Sequence, residues 1–214
     1  MLAKIVGLTN RLVQAGGSIV GVRRGTEEPA YTVEQLTSGV EIRRYGSRIA
    51  AETTVAADEE AARSTGFRRL AGYIFGGNHA ETKIAMTAPV AQQGGAPSGE
   101  TISMAAPVSE TAGSNGEWVI RFFMPAGKTL ESLPQPNDRA VRLVSVPAET
   151  VAVRRFSGSI SSRAVASQTA RLMRTVRENG FTPVGTPGAW FYDPPWTVPA
   201  LRRNEIAVPV ESSP

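Results

Sequence analysis

The residues that could carry out catalysis in this chain are few. The sequence contains one histidine, His79, and no cysteine. Thiolate metal sites, a cysteine nucleophile, disulfides and sites with several histidine ligands within one chain are therefore excluded. A Ser-His-Asp triad would have to use His79, and nothing in the sequence places a serine beside it. Because a P-loop, a Gly-x-Ser-x-Gly elbow and a dinucleotide-binding fingerprint are also missing, we predict that the protein is not an enzyme.

Large apolar side chains offer a binding chemistry instead. Aromatic and methionine residues gather in three stretches, which contain Phe67, Tyr73 and Phe75, then Met86 and Met104, then Trp190, Phe191, Tyr192 and Trp196. Such side chains can line a flat apolar pocket, with arginines at its rim for acidic groups. Core packing is the default for large apolar residues, so we expect most of them to fill the interior.

The charge pattern does not indicate a particular partner. The net charge is +4, and five Arg-Arg pairs lie at 23–24, 43–44, 68–69, 154–155 and 202–203. Because adjacent residues of a strand point to opposite faces, these scattered pairs do not form one basic patch. We therefore expect no specific nucleic-acid partner.

The first 28 residues are predicted to form a separate helical segment. Several apolar residues fall roughly on one helical face, and they are Leu2, Ile5, Val6, Leu12 and Val13. The segment is too polar to span a bilayer and lacks the compact apolar block of a secretory signal. We expect a cytoplasmic protein with this helix docked on the domain. Weak adhesion to a membrane surface is the less favoured alternative.

Two helices are predicted to position the apolar residues. The first spans Asp58–Phe75, with Asp58 as N-cap and the pair Gly76-Gly77 as its stop. The second spans Ser161–Asn179 and ends at Gly180. Its buried face follows the helical spacing of Val165, Thr169, Leu172 and Val176.

Alternation and β-branched residues predict several strands between Gly- and Pro-rich loops. The strands are Val40–Tyr45, Trp118–Met124, Val141–Val146, Val151–Phe156 and a segment around Ile206–Val210. The loops are Gln92–Glu100, Glu110–Glu117 and Pro125–Asp138.

The order of these elements indicates an internal duplication. Val40–Tyr45 is followed by a helix and Lys83–Val90, and Val151–Phe156, at an offset of 111 residues, is followed by a helix and Glu205–Val210. A smaller echo, Ile84–Val90 and Ile102–Val108, predicts a hairpin. One half could not cover its own sheet, so we predict that residues 29–214 form a single α+β domain of two similar strand–helix–strands halves.

Several segments in the same order resemble the SOUL haem-binding proteins over about residues 29–210. They are Val40-Glu-Ile-Arg-Arg-Tyr-Gly46, Gly66-Phe-Arg-Arg-Leu-Ala-Gly-Tyr-Ile74, Lys83-Ile-Ala-Met-Thr-Ala-Pro-Val90, and Tyr192-Asp-Pro-Pro-Trp196 followed by Arg202-Arg-Asn-Glu-Ile206. The resemblance implies a distorted antiparallel β-barrel flanked by two helices, and non-covalent, reversible binding of haem or a related tetrapyrrole as a carrier or buffer. The sequence is also similar to the effector-binding fold of GyrI-like bacterial regulators, which capture small molecules.

The resemblance places the ligand against the first helix and the loop after Tyr-Asp-Pro-Pro. The matching positions here are Phe67, Leu70, Ala71 and Trp196. Positions that are basic in one branch of the family fall on Gly72 and Thr197. The axial histidine proposed in another branch falls on Arg44, and arginine stays protonated and cannot ligate iron.

His79 is the candidate replacement ligand for iron, because it follows the first helix and histidine is a common haem ligand. A lone histidine in a Gly-rich loop is usually solvated, so the default expectation is binding by apolar contact with a weak or absent axial bond. Such a site would discriminate little between haem and metal-free porphyrin. A GyrI-like module for a non-porphyrin hydrophobic ligand is the main alternative, and an enzyme acting on tetrapyrroles is less favoured. The sequence leaves the oligomeric state open.

Overall fold

The computed structural model describes residues 27–37, 39–94, 116–193 and 196–212. Ten strands, two α-helices and one 3₁₀ turn are found in these ranges. In chain order they are β1 (Tyr31–Thr37), β2 (Val40–Tyr45), β3 (Arg48–Ala56), α1 (Glu59–Ile74), β4 (Val90–Gly94), β5 (Glu117–Phe123), β6 (Val141–Val146), β7 (Glu149–Phe156), α2 (Ser162–Glu178), β8 (Phe181–Pro183), β9 (Gly188–Phe191), the 3₁₀ turn (Pro199–Leu201) and β10 (Asn204–Ser212).

One curled antiparallel sheet organises the domain. Nine strands follow the order β1-β2-β7-β10-β9-β4-β5-β3-β6, and β8 pairs only with the end of β10. The helix α1 packs on β3, β5 and β6, while α2 packs on β7, β8 and β10. Both helices cover the same face, which we call the helical face, and the opposite side is the inner face. The predicted α+β fold, a barrel-like antiparallel sheet with two helices, is confirmed.

The strand order also confirms the duplication but corrects its alignment. It is symmetric about the contact between β4 and β9, so that β2 corresponds to β6 and β3 to β7. Val40 at the start of β2 is thus equivalent to Val141 at the start of β6. The predicted match of Val40–Tyr45 with Val151–Phe156 is wrong by one strand, because neighbouring strands that bury one face share the same alternating pattern.

Both helices begin and end as the sequence predicts. The Asp58 carboxylate accepts hydrogen bonds from the backbone N–H groups of Glu60 and Ala61, at 3.0 and 2.9 Å. The Ser161 hydroxyl accepts one from the N–H of Ala164. These side chains cap N–H groups that have no partner within their helix. Within the described residues, neither α-helix is both long enough and apolar enough to cross a membrane.

The first strand of the predicted hairpin, which pairs Ile84–Val90 with Ile102–Val108, is not formed over residues 84–89. Residues 84–89 are irregular and β4 begins only at Val90, because Pro89 has no N–H to donate to a ladder. The two edges of β4 pair with β5 and β9. Residues Gln92–Gly94, predicted as loop, continue β4. The segment Ile102–Val108, with Met104, lies outside the described residues, as do residues 1–26.

The core has three clusters. One lies under α1 and one under α2, both on the helical face, and the third covers the inner face. The apolar face predicted for Trp118–Met124 is confirmed, because Ile120, Phe122 and Met124 belong to the α1 cluster and Trp118 packs against it. The predicted face of α2 buries Leu172 and Val176 completely. Residues 125–138 form the predicted irregular connection.

The contact between α1 and β5 requires glycine at position 66. A Cβ atom there would lie 2.7 Å from Cγ1 of Ile120, whereas a Cβ at Gly72, on the same helix, would meet nothing within 4 Å. We expect Gly66→Ala to lower the free energy of unfolding by about 1–3 kcal/mol, because the helix must move off the sheet. Gly72→Ala should raise it by up to about 1 kcal/mol through helix propensity. Urea unfolding measures both, and equal effects would contradict the described packing.

Candidate functional site

The outer side of α1 carries an apolar stripe. Phe67, Ala71 and Phe75 follow one another at intervals of four residues, so they lie along one side of the helix and its C-cap. Phe67 is 37% exposed and Phe75 is 61% exposed. Ala71 is half-buried, while Leu70 is fully buried against the sheet. Of the three helix residues assigned to the ligand by resemblance, Phe67 is open, Ala71 is partly open and Leu70 supports them from below.

Phe67 sits on an apolar row that crosses the sheet. Its ring meets that of Phe122 edge to face, with the centroids 5.4 Å apart. Phe122 pairs with Val90 on β4, and Val90 pairs with Phe191 on β9. All three are buried. The row therefore leads from α1, in the first half of the domain, to the end of β9 in the second half.

Arg63 fastens α1 to the second half. It lies four residues before Phe67 on the same helix, and its guanidinium carbon is 4.5 Å from the centroid of the Phe191 ring. Its Nη1 donates to the carbonyl of Ile160 at 2.9 Å, and its Nε donates to the Gln92 side chain at 2.7 Å. Burial lowers the pKa of Arg63 below its ordinary value. These bonds hold Phe67 near the segment that follows Phe191.

That segment is a loop, residues 192–203, closed by hydrogen bonds at its base. The Asp193 carboxylate accepts from the backbone N–H of Arg203 at 2.7 Å. The Arg202 side chain donates to the carbonyl of Thr197 at 2.8 Å. The carbonyl of Pro199 accepts from the N–H of Gly158, next to α2. The loop is therefore fixed at both ends and, through Pro199, beside α2.

This loop carries exposed apolar side chains. Trp196 is 64% exposed, Val198 44% and Leu201 47%. Large apolar side chains that stand together in water mark a binding surface more often than isolated ones do. We define the α1–loop surface as Phe67, Ala71 and Phe75 of the helical stripe together with Trp196 and Val198.

A buried ionic network anchors the loop to the barrel. Glu205 is fully buried and accepts two hydrogen bonds from the guanidinium of Arg43, at 2.7 and 3.0 Å. It also accepts one from Nε of Arg203 at 2.9 Å and one from the hydroxyl of Tyr192 at 2.7 Å. Two of these partners, Tyr192 and Arg203, are the first and last residues of the loop. The network therefore fixes both ends of the segment that carries Trp196.

The protonation states of this network follow from its geometry. Burial alone would raise the pKa of Glu205, but the hydrogen bond and charge of Arg43 and the charge of Arg203 outweigh it, so the pKa lies below its ordinary value. Burial, together with the negative charge of Glu205, raises the pKa of Tyr192 well above its ordinary value. The glutamate is thus ionised and the tyrosine keeps the proton that it donates.

His79 lies in the loop after α1, beyond the Phe75 end of the stripe. Its side chain is exposed, and its backbone N–H donates to the carbonyl of Gln135 at 3.0 Å. The neighbouring Asn78 is fully buried, and its amide donates to the carbonyls of Tyr73 and Thr82. The backbone around His79 is therefore fixed while its imidazole faces solvent.

Comparison with known proteins identifies the family. A family model described as SOUL heme-binding protein matches residues 26–209, which is most of the chain. The chain belongs to the SOUL heme-binding protein family. Among curated relatives, heme-binding protein 2 of Mus musculus is 29% identical over 174 residues, covering 75% of this chain and 77% of that protein. Heme-binding protein 2 of Homo sapiens is 33% identical over 144 residues, covering 65% of this chain and 62% of that protein.

Two solved structures share the fold. The C-terminal domain of EcmrR superposes with a TM-score of 0.57 at 15% identity, covering 85% of this chain and 98% of that one. An uncharacterized conserved protein from Listeria innocua superposes with a TM-score of 0.59 at 10% identity, covering 80% of this chain and 92% of that one. At such low identity the likeness concerns the fold alone.

Three other positions named from the SOUL resemblance lie apart from the α1–loop surface or contribute no charge to it. Arg44 is on β2, where its side chain is 53% exposed and pairs with Glu34. Gly72 is exposed on α1, and Thr197 is 1% exposed inside the loop. None of these positions supplies a basic side chain beside Phe67 or a ligand for iron.

Sequence reasoning missed part of the site. Val198 was not named, and Phe75 was named only among the aromatic residues that could line a pocket, although helical spacing from Phe67 could have singled it out. The roles of Arg63 and Glu205 could not be inferred from local sequence, because Gln92 is 29 residues from Arg63 and Arg43 is 162 residues from Glu205. Conversely Tyr73, one of the aromatic candidates, is 2% exposed and donates its hydroxyl to the carbonyl of Pro134.

Proposed function

We propose that this protein binds haem or a related tetrapyrrole reversibly on the α1–loop surface and acts as a carrier or buffer. One observation carries the proposal: Phe67 and Trp196 are both exposed, and Arg63, one turn before Phe67 on α1, contacts Phe191, the last residue of the strand that leads into the loop of Trp196. In the proposed complex a flat macrocycle covers both side chains, which removes apolar surface from water. Membership of a haem-binding family supports this choice of ligand.

The groups around the surface suit an amphipathic ring. The stripe of Phe67, Ala71 and Phe75 offers apolar contact along the helix, supported from below by Leu70. Arg68, next to Phe67, is exposed, and its guanidinium donates to the Thr65 hydroxyl at 3.3 Å. It can pair with a carboxylate of the ligand, since guanidinium and carboxylate groups bind each other strongly. The edge of the ring would remain in water.

Binding of the ring is proposed to rest on apolar contact, with His79 as the one candidate for axial ligation to iron. The exposed imidazole lies beyond the C-terminal end of the stripe, so an iron bond would require the ring to extend past Phe75. We expect His79→Ala to change the affinity for haemin by less than about three-fold. Absorption titration in the Soret region measures this. A loss above about ten-fold for haemin, with none for metal-free protoporphyrin, would establish His79 as a ligand instead.

The loop side of the surface is tested through Trp196. Removing its indole takes away one of the two largest contacts, so Trp196→Ala should weaken haemin binding by about ten-fold. Val184→Ala, which trims an exposed apolar residue beyond α2, is the control and should leave affinity unchanged. The proposal fails on this point if both variants bind haemin as tightly as the unaltered protein does.

A further inference from the structure

The side of α2 that faces away from the sheet is strongly basic. The helix has four arginines and a single acidic residue, Glu178. The arginines are Arg163, Arg171, Arg174 and Arg177. Because an α-helix turns by about 100° per residue, these four positions fall within about 120° of one another. They lie opposite Leu172 and Val176, which are buried against the sheet. We call this side of α2 the arginine face.

The side chains of the arginine face are available to a partner. All four arginines are exposed. In the part of the chain that the structure describes, their guanidinium groups form no hydrogen bond and no ion pair. Elsewhere exposed arginines are neutralised, as Arg44 is by Glu34. The charges of the arginine face therefore keep their attraction for an anionic partner.

The spacing of the arginines indicates an extended partner. Arg163 and Arg177 are separated by about 21 Å along the helix axis, since each residue of an α-helix adds about 1.5 Å. A small anion would reach only neighbouring side chains, such as those of Arg171 and Arg174. A planar surface of negative charge, like that of a membrane with anionic lipids, meets all four arginines at once.

An exposed apolar side chain lies near the N-terminal end of α2. Leu201, in the 3₁₀ turn, is 47% exposed. The carbonyl of Pro199 in the same turn accepts from the N–H of Gly158 at 2.8 Å, which fixes the turn to the segment that leads into α2. Basic and apolar side chains together are typical of surfaces that bind at the boundary of lipid headgroups and acyl chains. The backbone of a nucleic acid is bound through polar contacts and offers an exposed leucine no matching contact.

We propose that the arginine face of α2 docks the protein peripherally on a membrane surface that contains anionic lipids. The four arginines bind the lipid phosphate groups, and Leu201 enters the boundary between headgroups and acyl chains. Guanidinium groups suit this role because they bind phosphate oxygens through paired hydrogen bonds. This docking does not depend on the proposed binding of a tetrapyrrole.

Sedimentation of the full-length protein with lipid vesicles tests the proposal. Vesicles of phosphatidylcholine with about 30% phosphatidylglycerol are compared with vesicles of phosphatidylcholine alone. The protein should bind the anionic vesicles at least about ten-fold more tightly, and this binding should weaken as salt is added, because salt screens exposed charges. Equal binding to both kinds of vesicle, or binding to neither, would overturn the proposal.

A pair of double variants separates the arginine face from net charge. Arg171→Gln with Arg174→Gln should weaken binding to the anionic vesicles by about ten-fold or more, since each arginine near such a surface contributes to the attraction. Lys128→Gln with Arg139→Gln removes the same charge from exposed positions before β6 and should preserve binding. Equal losses in the two double variants would show that net charge alone is responsible, and the docking face would be rejected.

Two other partners or contacts are outcomes of the same experiment. Lys4→Gln with Arg11→Gln removes the same charge from the N-terminal segment. Loss of vesicle binding in this variant, with normal binding by the α2 variant, would assign membrane contact to that segment and reject the proposal. Binding of a short DNA duplex that the α2 variant loses, without binding to vesicles, would identify a nucleic acid as the partner instead.

The apolar contact and the haem site are checked separately. Leu201→Ser leaves the charge unchanged and should weaken vesicle binding by about three-fold. An unchanged affinity would overturn the docked arrangement. Phe67→Asp should leave vesicle binding unaltered, whatever it does to haemin. Failure of membrane docking and failure of haem binding can therefore be told apart.

Discussion

The Phe67→Asp variant is expected to bind haemin about 30- to 100-fold more weakly than the unaltered protein. The substitution removes an aromatic contact worth about 1.5–3 kcal/mol of apolar burial, and it places a carboxylate where the face of the macrocycle would lie. Phe67 is the exposed member of the helical stripe whose ring packs edge to face on the buried Phe122. Soret absorption titration gives the dissociation constants.

The matched control for this prediction is Val33→Asp. Val33 lies on β1, is 52% exposed and is likewise apolar, so the change in composition is similar. We expect its haemin affinity to match that of the unaltered protein. Ala71→Glu, which does not disturb the contact with Phe122, should weaken binding in the same direction as Phe67→Asp. Equal haemin affinity for Phe67→Asp and Val33→Asp would place the ligand elsewhere.

Replacing Glu205 with glutamine should lower the free energy of unfolding by about 3–5 kcal/mol, because it leaves Arg43 and Arg203 without the buried charge that they share. For a chain of this size the melting temperature should fall by at least about 6 °C. Glu34→Gln is the control, since its exposed pair with Arg44 should contribute less than about 1 kcal/mol. Equal destabilisation by the two substitutions would contradict the role of the network.

The effect of Glu205 should depend on pH in a defined direction. Its pKa is lower in the folded state, so its stabilising contribution is present above the pKa of the unfolded chain and is lost as the pH falls through the folded pKa. The stability difference between the unaltered protein and Glu205→Gln should therefore be constant at neutral pH and narrow below about pH 4. Denaturant unfolding at a series of pH values measures it. A difference that widened in acid would exclude an ionised Glu205.

The helices could be predicted because their signals are local. Asp58 and Ser161 satisfy N–H groups within three residues, and Gly180, at φ 74°, ends α2 where other residues would be strained. The strands could also be predicted, because burial of one sheet face produces an alternation of apolar and polar residues along the sequence. These signals depend on neighbouring residues and do not require knowledge of the fold.

The pairing of strands could not be predicted in the same way. The sequence favours matching Val40–Tyr45 with Val151–Phe156, yet in the sheet these two strands are direct neighbours, with Ile42 opposite Ala152. The apolar–polar alternation of a strand that is buried on one face does not indicate which strand pairs with it. The Ala-Pro step before Val90 likewise resembles strand by composition, but the missing N–H prevents a ladder there.

The candidate site was predicted in part through resemblance. That comparison named Phe67 and Trp196, which the structure exposes, and also Leu70, which it buries completely. The sequence of α1 is only weakly amphipathic, so it does not indicate which side of the helix is buried. That side is set by the position of the sheet. The ionic anchor is a property of the tertiary fold alone, because Arg43 and Glu205 are 162 residues apart.

The central claim, that the α1–loop surface receives a tetrapyrrole by apolar contact, is tested most directly by parallel titration with haemin and metal-free protoporphyrin. Both compounds should bind with dissociation constants within about three-fold of each other, and both should quench the fluorescence of Trp196. Quenching is isolated by the loss of the effect in Trp196→Phe. Absence of a spectral shift with either compound, or tight binding of haemin alone, would contradict the claim.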